Sequence, residues 1–264
     1  MVAFRELVNG LRQLDLHPGQ PVLAHISLSS FGEVRGAEET VIGALLTVVD
    51  RVMMPSFTYK TMVIPLSGPE DNGIQYGSGK ESNLLAEIYR AEMPADSLMG
   101  RVAEAFRQHP EAKRSLHPIL SFAGVGVDEA LIAQTILEPL APVRVLMEQN
   151  GWVLLAGVDH TANTALHLAE YLAGRRQFVR WGLTLSGVYE CPGFPGCSHG
   201  FQQAASYLTE MTRSVKIGNA VVQAIPLQPM INTITALIQN QSGALLCHRP
   251  VCDLCPAVLR SNGK

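Results

Sequence analysis

The chain has 264 residues, of which 47% are hydrophobic, and its formal net charge is −3. This composition suits a folded protein with a large core and excludes an intrinsically disordered chain. The pI near 6.2 and the lack of any Lys/Arg run exclude the basic surface that nucleic-acid binding needs, so we expect a small-molecule partner.

Residues 1–19, MVAFRELVNGLRQLDLHPG, predict an amphipathic helix that ends at Pro18 and Gly19. This helix carries acidic residues and does not resemble a signal peptide. Apolar runs such as VIGALLTVV stop at Asp50 and Arg51, after roughly half of the ~20 residues that a membrane span needs. We therefore expect a cytoplasmic protein that does not enter a membrane.

Short apolar runs then alternate with helical patterns, which is typical of an α/β protein. In chain order, the first half predicts strand PVLAHI, helix GAEETVIGALLTVV, strand VMMPSF, helix SLMGRVAEAFRQHP and strand ILSFAGVG. The second half predicts helix APVRVLMEQNG, strand WVLLAGV, helix GFQQAASYLTEM, strand AVVQAIPL and helix PMINTITALIQNQ. We predict a mixed central sheet flanked by helices, in a single integrated domain over residues 1–264.

Two segments depart from this alternation. Residues 58–81, TYKTMVIPLSGPEDNGIQYGSGKE, are rich in Gly, Pro, Asn and Ser, which predicts a lid-like excursion. Residues 190–264 form a C-terminal part that contains all five cysteines of the chain.

The stretch GVDHTANTALHLAE, residues 157–170, predicts the end of a strand, a turn and a helix capped by Asn163 or Thr161. His167 and Glu170 then share one face of that helix. An imidazole titrates near neutral pH and can take a proton from an attacking nucleophile, and a carboxylate can orient the ring. A core histidine beside a solvated glutamate is the alternative interpretation, since such spacings often arise by accident.

The loop SLSSFGEVRG, residues 27–36, offers small residues, hydroxyls and free backbone amides immediately before a predicted helix. Such a place suits a pyrophosphate or the amides of a pantetheine chain. A plain surface turn is the alternative interpretation of the same loop.

Several stretches, in this order along the chain, together resemble the aminoglycoside 3-N-acetyltransferase family. They are HISLSSFGEVRGAEETVIGAL, VMMPSFT, MGRVAEAFRQHPEAKRSLHPILSFAGVG, APVRVLMEQNGWVLLAGV and GVDHTANTALHLAE. The resemblance runs from about residue 21 to 173, and the stretch CSHGF near residue 197 shows a weaker similarity to the family. It implies acetyl-CoA as donor, an amine as acceptor, and direct transfer without a covalent enzyme intermediate.

By position, the resemblance implies that His167 and Glu170 are the catalytic pair, with His167 as general base. It also implies a set of donor-site residues on the loop and on later strand ends: Ser27, Leu28, Ser29, Ser30, Val34, Ser56, Thr58, Ser115, His117, Ser121 and Phe122. Because Glu38 and Glu39 in a first helical turn repel a phosphate, we expect the pyrophosphate further up the loop, nearer Arg35.

The acceptor is less well specified than the donor. Aminoglycosides are polycations, so their site should gather carboxylates, and the candidates by location are Glu70, Asp71, Asp159 and Glu190. We expect the 3-amino group of an aminoglycoside to be the acceptor, as in antibiotic resistance. A CoA-dependent N-acyltransferase for another amine and a catalytically silent CoA-binding or metal-binding homologue are the alternatives. The sequence predicts no oligomeric state.

The C-terminal part raises the question of a metal. Cys252 and Cys255 have the two-residue gap of a zinc knuckle, and His199 and His248 lie beside other cysteines. The remaining cysteines are Cys191, Cys197 and Cys247. Cys191 and Cys197 are separated by five residues, and buried thiols act as small hydrophobes in a reducing cytoplasm, so the sequence favours free thiols over a structural zinc. Any zinc would serve folding, because no water-activating ligand set lies near His167 in the sequence.

Overall fold

The structure is a computed structural model that describes residues 1–261, so the last three residues of the predicted C-terminal part lie outside the described range. Its strands fall into a seven-stranded and a three-stranded sheet. In chain order they are β1 (Val22–Ile26), β2 (Val52–Pro55), β3 (Met62–Val63), β4 (Lys113–Arg114), β5 (Phe122–Val125), β6 (Trp152–Ala156), β7 (Phe178–Thr184), β8 (Gly187–Phe194), β9 (Arg213–Ile217) and β10 (Ala220–Pro226).

The helices of the described range pack around these sheets. They are α1 (Phe4–Arg12), α2 (Ala37–Val48), α3 (Arg101–Arg107), α4 (Asp128–Ala133), α5 (Ala141–Glu148), α6 (Ala165–Leu172), α7 (Ala205–Leu208), α8 (Leu227–Asn240) and α9 (Leu254–Ser261). None of these helices is long and apolar enough to cross a membrane.

The larger sheet has the strand order β4-β5-β2-β1-β6-β10-β9. Strand β1 runs parallel to β2 and to β6, and the remaining neighbours are antiparallel. The prediction of an α/β protein with a mixed central sheet flanked by helices is therefore confirmed.

The three parallel strands are buried along their whole length. Successive side chains of a strand point to opposite faces, so an entirely apolar strand can pack into a hydrophobic core on each face of the sheet. Val22 and Ala24 of β1 pack with α1, α2 and α3 on one face. Leu23, between them, packs with α5, α6 and α8 on the other face. The continuous apolar pattern of these strands thus reflects their central place in the sheet.

The predicted helix GFQQAASYLTEM is not continuous. It consists of a 3-10 turn over Phe201–Ala204, the single turn of α7, and a second 3-10 turn over Thr209–Met211. The hydroxyl of Thr209 donates to Ala205 O and that of Thr212 donates to Leu208 O. Side-chain bonds of this kind compete with the helical backbone bonds and lie where the segment departs from a continuous helix.

The segment 58–81 lies against the smaller sheet, which has the order β3-β7-β8. The hydroxyls of Thr58 and Thr61 both donate to Pro118 O, and β3 pairs with β7. The buried amide of Asn72 exchanges two hydrogen bonds with the backbone of Val179. These contacts anchor the beginning and the middle of the segment, and its role as a lid stays a prediction.

Candidate active site

A cleft of about 900 Å³ opens where β2, β1 and β6 end. Because the three strands are parallel, their carboxyl ends meet at one edge of the sheet, where open α/β sheets commonly bind ligands. The cleft is lined by the loop after β1, by the turn between β6 and α6, and by residues that follow β8.

The turn after β6 places α6 at the cleft. Asp159 Oδ1 accepts a hydrogen bond from Thr161 N at 2.9 Å and starts a short 3-10 turn. The N-cap of α6 is Thr164 and not one of the two predicted caps, Asn163 and Thr161, although Asn163 Oδ1 accepts from Ala165 N at 3.2 Å. The helix that follows is buried from Ala165 to Glu170. His167 consequently reaches the wall of the cleft, and its ring lies 4.7 Å from the ring of Phe201.

His167 and Glu170 form a buried hydrogen-bonded pair. Nδ1 of His167 lies 2.7 Å from Oε2 of Glu170, and the two residues are 8% and 2% exposed. An ionised carboxylate only accepts hydrogen bonds, so Nδ1 is the protonated nitrogen of the ring and donates to Glu170. Nε2 is then the basic nitrogen of the neutral ring. The solvated-glutamate alternative is inconsistent with this burial.

Arg175 is a third member of the site that the sequence analysis missed. Its Nη1 donates to Glu170 Oε1 at 2.8 Å, and its Nη2 donates to the carbonyls of Ser242 and Ala244. Gly174 has φ +78° and closes α6, so that Arg175 N donates back to Glu170 O at 3.0 Å. The sequence offered only the glycine that ends the predicted helix, and this indicates the turn but not the direction of the arginine that follows it.

The predicted donor loop lies partly in the cleft. Ser27, Leu28, Ser29 and Val34 line it, as the resemblance implied. Ser30 instead links the loop to the end of β6, because its hydroxyl bonds Gly157 O at 2.7 Å.

The sequence placed Arg35 near the donor, but in the structure the arginine at the cleft is Arg101. Arg35 is exposed and is not among the lining residues, whereas Arg101 lines the cleft. Arg101 also forms an ion pair with Glu38 at 2.5 Å. This pair offsets part of the acidic charge at the start of α2.

The other predicted donor contacts are buried beside the cleft and do not line it: Ser56, Thr58, Ser115, His117, Ser121 and Phe122. Their polar atoms bind the protein itself; for example, Ser56 and Ser121 bond each other's main chain. Nδ1 of His117 accepts from two backbone amides, and burial lowers the pKa of this histidine to about 4. Their assignment to donor binding stays a prediction.

The acidic candidates for acceptor binding lie elsewhere. Asp71 pairs with Arg260 at 2.8 Å, and Asp159 caps the turn described above. Glu70 and Glu190 are exposed. None of these four is among the residues that line the cleft, and none of the described lining residues is acidic. His25 of β1 does line it, and burial lowers its pKa to about 3.

The cysteines separate into one single residue and one group. Cys191 is buried in β8, and burial raises the pKa of its thiol to about 11. It therefore packs as a small hydrophobic side chain. The sulfur atoms of Cys197, Cys247, Cys252 and Cys255 lie within 4.8 Å of one another.

The sequence profile described as aminoglycoside 3-N-acetyltransferase matches residues 23–239, which is most of the chain. The chain belongs to this family. The family recognised from the sequence motifs is thus confirmed, and it is a family of acyltransferases.

Two relatives illustrate the sequence match. The SPbeta prophage-derived aminoglycoside N(3')-acetyltransferase-like protein YokD of Bacillus subtilis (strain 168) is 33% identical over 194 residues, covering 67% of this chain and 68% of the relative. Aminoglycoside N(3)-acetyltransferase IV of Salmonella sp is 34% identical over 174 residues, covering 64% of this chain and 58% of the relative. The match therefore spans less than two thirds of the length of the second relative.

The fold agrees over a longer span. The crystal structure of aminoglycoside acetyltransferase AAC(3)-IVa, apoenzyme, has a TM-score of 0.79 at 26% identity and covers 98% of each chain. A histidine-to-alanine mutant of that enzyme in complex with a gentamicin has a TM-score of 0.76 at 25% identity, covering 98% of this chain and 97% of that chain.

Proposed function

We propose that the chain is an N-acetyltransferase that moves the acetyl group of acetyl-CoA to the 3-amino group of an aminoglycoside. The observation that carries this proposal is the hydrogen-bonded line Arg175, Glu170 and His167, which ends at the wall of the 900 Å³ cleft. Membership in the aminoglycoside 3-N-acetyltransferase family supplies the reaction class.

In the proposed reaction, His167 acts through Nε2. This nitrogen takes a proton from the acceptor amine, and the amine nitrogen bonds to the thioester carbonyl carbon. The carbon–sulfur bond then breaks, and coenzyme A leaves as a thiolate that takes up a proton. Glu170 holds the ring in the required tautomer and stabilises its charged form, while Arg175 holds Glu170. The products are an amide and free coenzyme A, so no covalent enzyme intermediate is needed.

The donor is proposed to bind along the loop after β1. Ser27 and Ser29 offer hydroxyls to the cleft, and α2 begins immediately after this loop. Arg101 lines the same wall and is 77% exposed along its side chain, so it can reach a phosphate. We therefore assign the diphosphate to Arg101 in place of Arg35, which does not line the cleft.

The acceptor assignment rests on the family and on the gentamicin-bound relative. One observation favours a second candidate, an N-acyltransferase for an amine of lower charge. A polycation is best held by carboxylates, and the described residues lining the cleft include none.

A thiol-release assay with acetyl-CoA separates these functions. The panel should contain a 2-deoxystreptamine aminoglycoside, the same molecule already acetylated at its 3-amino group, and several monoamines. Turnover with the free aminoglycoside, abolished by prior 3-N-acetylation, is expected. Turnover with monoamines alone would support the second candidate, and no turnover with any amine would support a catalytically silent homologue.

A further inference from the structure

We propose that Cys197, Cys247, Cys252 and Cys255 bind one structural Zn²⁺ ion. The sequence alone favours free thiols, because only Cys252 and Cys255 have the spacing of a zinc knuckle, whereas Cys191 and Cys197 are separated by five residues. The structure changes this interpretation, because the fold brings all four sulfur atoms within 4.8 Å of one another.

The spacing of the sulfur atoms fits a tetrahedral metal site. Cys247 Sγ lies 3.6 Å from Cys197 Sγ and 3.6 Å from Cys255 Sγ, and no two of the four ligand atoms are more than 4.8 Å apart. A zinc–sulfur bond of about 2.3 Å gives sulfur atoms ~3.8 Å apart at the corners of a tetrahedron. A disulfide would need one pair at about 2.05 Å, and all five cysteines are free.

Backbone amides support the sulfur atoms. Cys247 N donates to Cys255 Sγ at 3.4 Å, and Cys255 N donates to Cys252 Sγ at 3.5 Å. Nδ1 of His199 lies 3.2 Å from Cys197 Sγ. Hydrogen bonds of this kind fix the orientation of metal ligands and stabilise their negative charge. We assign His199 to this supporting role, with four cysteines as the ligands.

Helix α9 is short and packs on a small apolar cluster. Helix α9 has eight residues, and a helix of this length is marginal in water unless its apolar face packs well. The apolar cluster beneath it is small, with five buried members, whereas the two clusters of the main sheet are each far larger. A zinc ion bound to Cys252 and Cys255 at the start of α9, and to Cys197 and Cys247 before it, would stabilise this part of the chain directly.

The site would also stabilise the catalytic cleft. Gly196, Ser198 and His199, on either side of Cys197, line the cleft, and Phe201 packs on the ring of His167. At the other end, Arg260 of α9 pairs with Asp71 of the segment 58–81. The ion therefore fastens the C-terminal helix to one wall of the cleft. With four protein sulfur ligands it has no open position for water, so its role is structural.

The experiment measures metal in protein purified without a metal-affinity resin. Elemental analysis of the reduced wild-type chain should find about one zinc per chain, released when a mercurial blocks the thiols. Replacing zinc with Co²⁺ should give sulfur-to-cobalt charge-transfer bands and the visible bands of a tetrahedral site. The zinc assay does not depend on acetyl transfer, so this proposal and the proposed function can fail separately.

Variants distinguish the four ligands from other cysteines. Cys252→Ser and Cys255→Ser should each lower zinc to below about a tenth of an equivalent and lower the melting temperature. Cys191→Ser is the matched control, because it removes a buried cysteine outside the group and should keep the zinc. His199→Ala should keep it too. If the ligand variants do not fold, the metal content and cobalt spectrum of the wild type still decide.

Three results would overturn the proposal. The first is a folded, reduced wild-type chain without zinc that gains none when zinc is supplied. The second is a disulfide within the group in protein purified under reducing conditions. The third is equal loss of zinc in Cys191→Ser and in the ligand variants, since that loss would come from general destabilisation.

Discussion

The Nδ1 atom of His167 lies 2.7 Å from Oε2 of Glu170, and the other oxygen of that carboxylate is bound by Arg175. Arg175 in turn holds the carbonyls of Ser242 and Ala244, near the end of α8. The orientation of the imidazole therefore depends on residues that follow it by more than seventy positions in the chain. In this arrangement we expect His167 to contribute mainly to catalysis, and Glu170 to contribute to stability as well because it is the counter-charge of Arg175.

Replacing His167 with Ala is expected to lower kcat by ~10²-fold or more, since general-base contributions are typically 10² to 10⁴. Donor affinity should remain nearly unchanged, which calorimetry with acetyl-CoA can measure. Leu168→Ala is the matched control, because it removes a buried side chain one position along α6. It should lower the melting temperature and leave kcat per folded molecule intact. A His167→Ala enzyme that is destabilised but fully active would contradict the proposed role.

Glu170→Gln is expected to lower the melting temperature more than His167→Ala does. It leaves the guanidinium of Arg175, whose side chain is 1% exposed, without its counter-charge, and breaking a buried ion pair typically costs about 3–5 kcal/mol. The double variant Glu170→Gln, Arg175→Met should recover part of the stability and none of the activity. Thermal unfolding and steady-state kinetics on the same preparations measure both. If the single variant is as stable as the wild type, the carboxylate does not balance Arg175.

Arg101→Ala is expected to raise the KM for acetyl-CoA about tenfold, because a hydrogen bond to a charged group is worth about 1.5–3 kcal/mol. Arg35→Ala is the matched control and should change this KM by less than about twofold, since Arg35 is exposed and does not line the cleft. The KM for the amine should stay the same in both variants. The opposite ranking of the two arginines would return the diphosphate to the loop position that the sequence indicated.

The free energy of unfolding is expected to fall as pH drops below about 6.5. Burial lowers the pKa of His25 to about 3 and that of His117 to about 4, whereas an unfolded histidine titrates near 6.5. The unfolded chain therefore binds more protons in this window, so the stability present above pH 6.5 is lost towards pH 3. Each histidine contributes a slope of up to about 1.4 kcal/mol per pH unit.

Urea unfolding across this pH range tests the assignment. His25→Leu should flatten the slope relative to wild type, because Leu cannot take up a proton. His17→Ala should leave the slope unchanged, since His17 is exposed in the folded protein. Equal slopes in the wild type and in His25→Leu would show that His25 is not the group responsible.

Parts of this protein could be predicted from local sequence because the deciding interactions are local. The apolar runs of β1, β2 and β6 indicated strands, and the structure forms these strands and buries every residue of them. The spacing of His167 and Glu170 on one helix face follows from helix geometry alone, so their contact was predictable. The ordered motifs also identified the family. Segment GFQQAASYLTEM was predicted less well: it forms two 3-10 turns and one turn of α-helix, and the hydroxyls of Thr209 and Thr212 bond the carbonyls four residues back near its end.

Only the tertiary structure decided which distant residues meet. Arg175 becomes part of the site because a turn at Gly174 directs it back onto Glu170, and the direction of a side chain after a helix end is not encoded in spacing. Ser56 and Ser121, both matched to donor contacts by their position in motifs, point into the protein, because the pairing of β2 with β5 places them against each other. The four clustered cysteines are separated by up to 58 positions, from Cys197 to Cys255, and meet because packing closes long loops that no local pattern specifies.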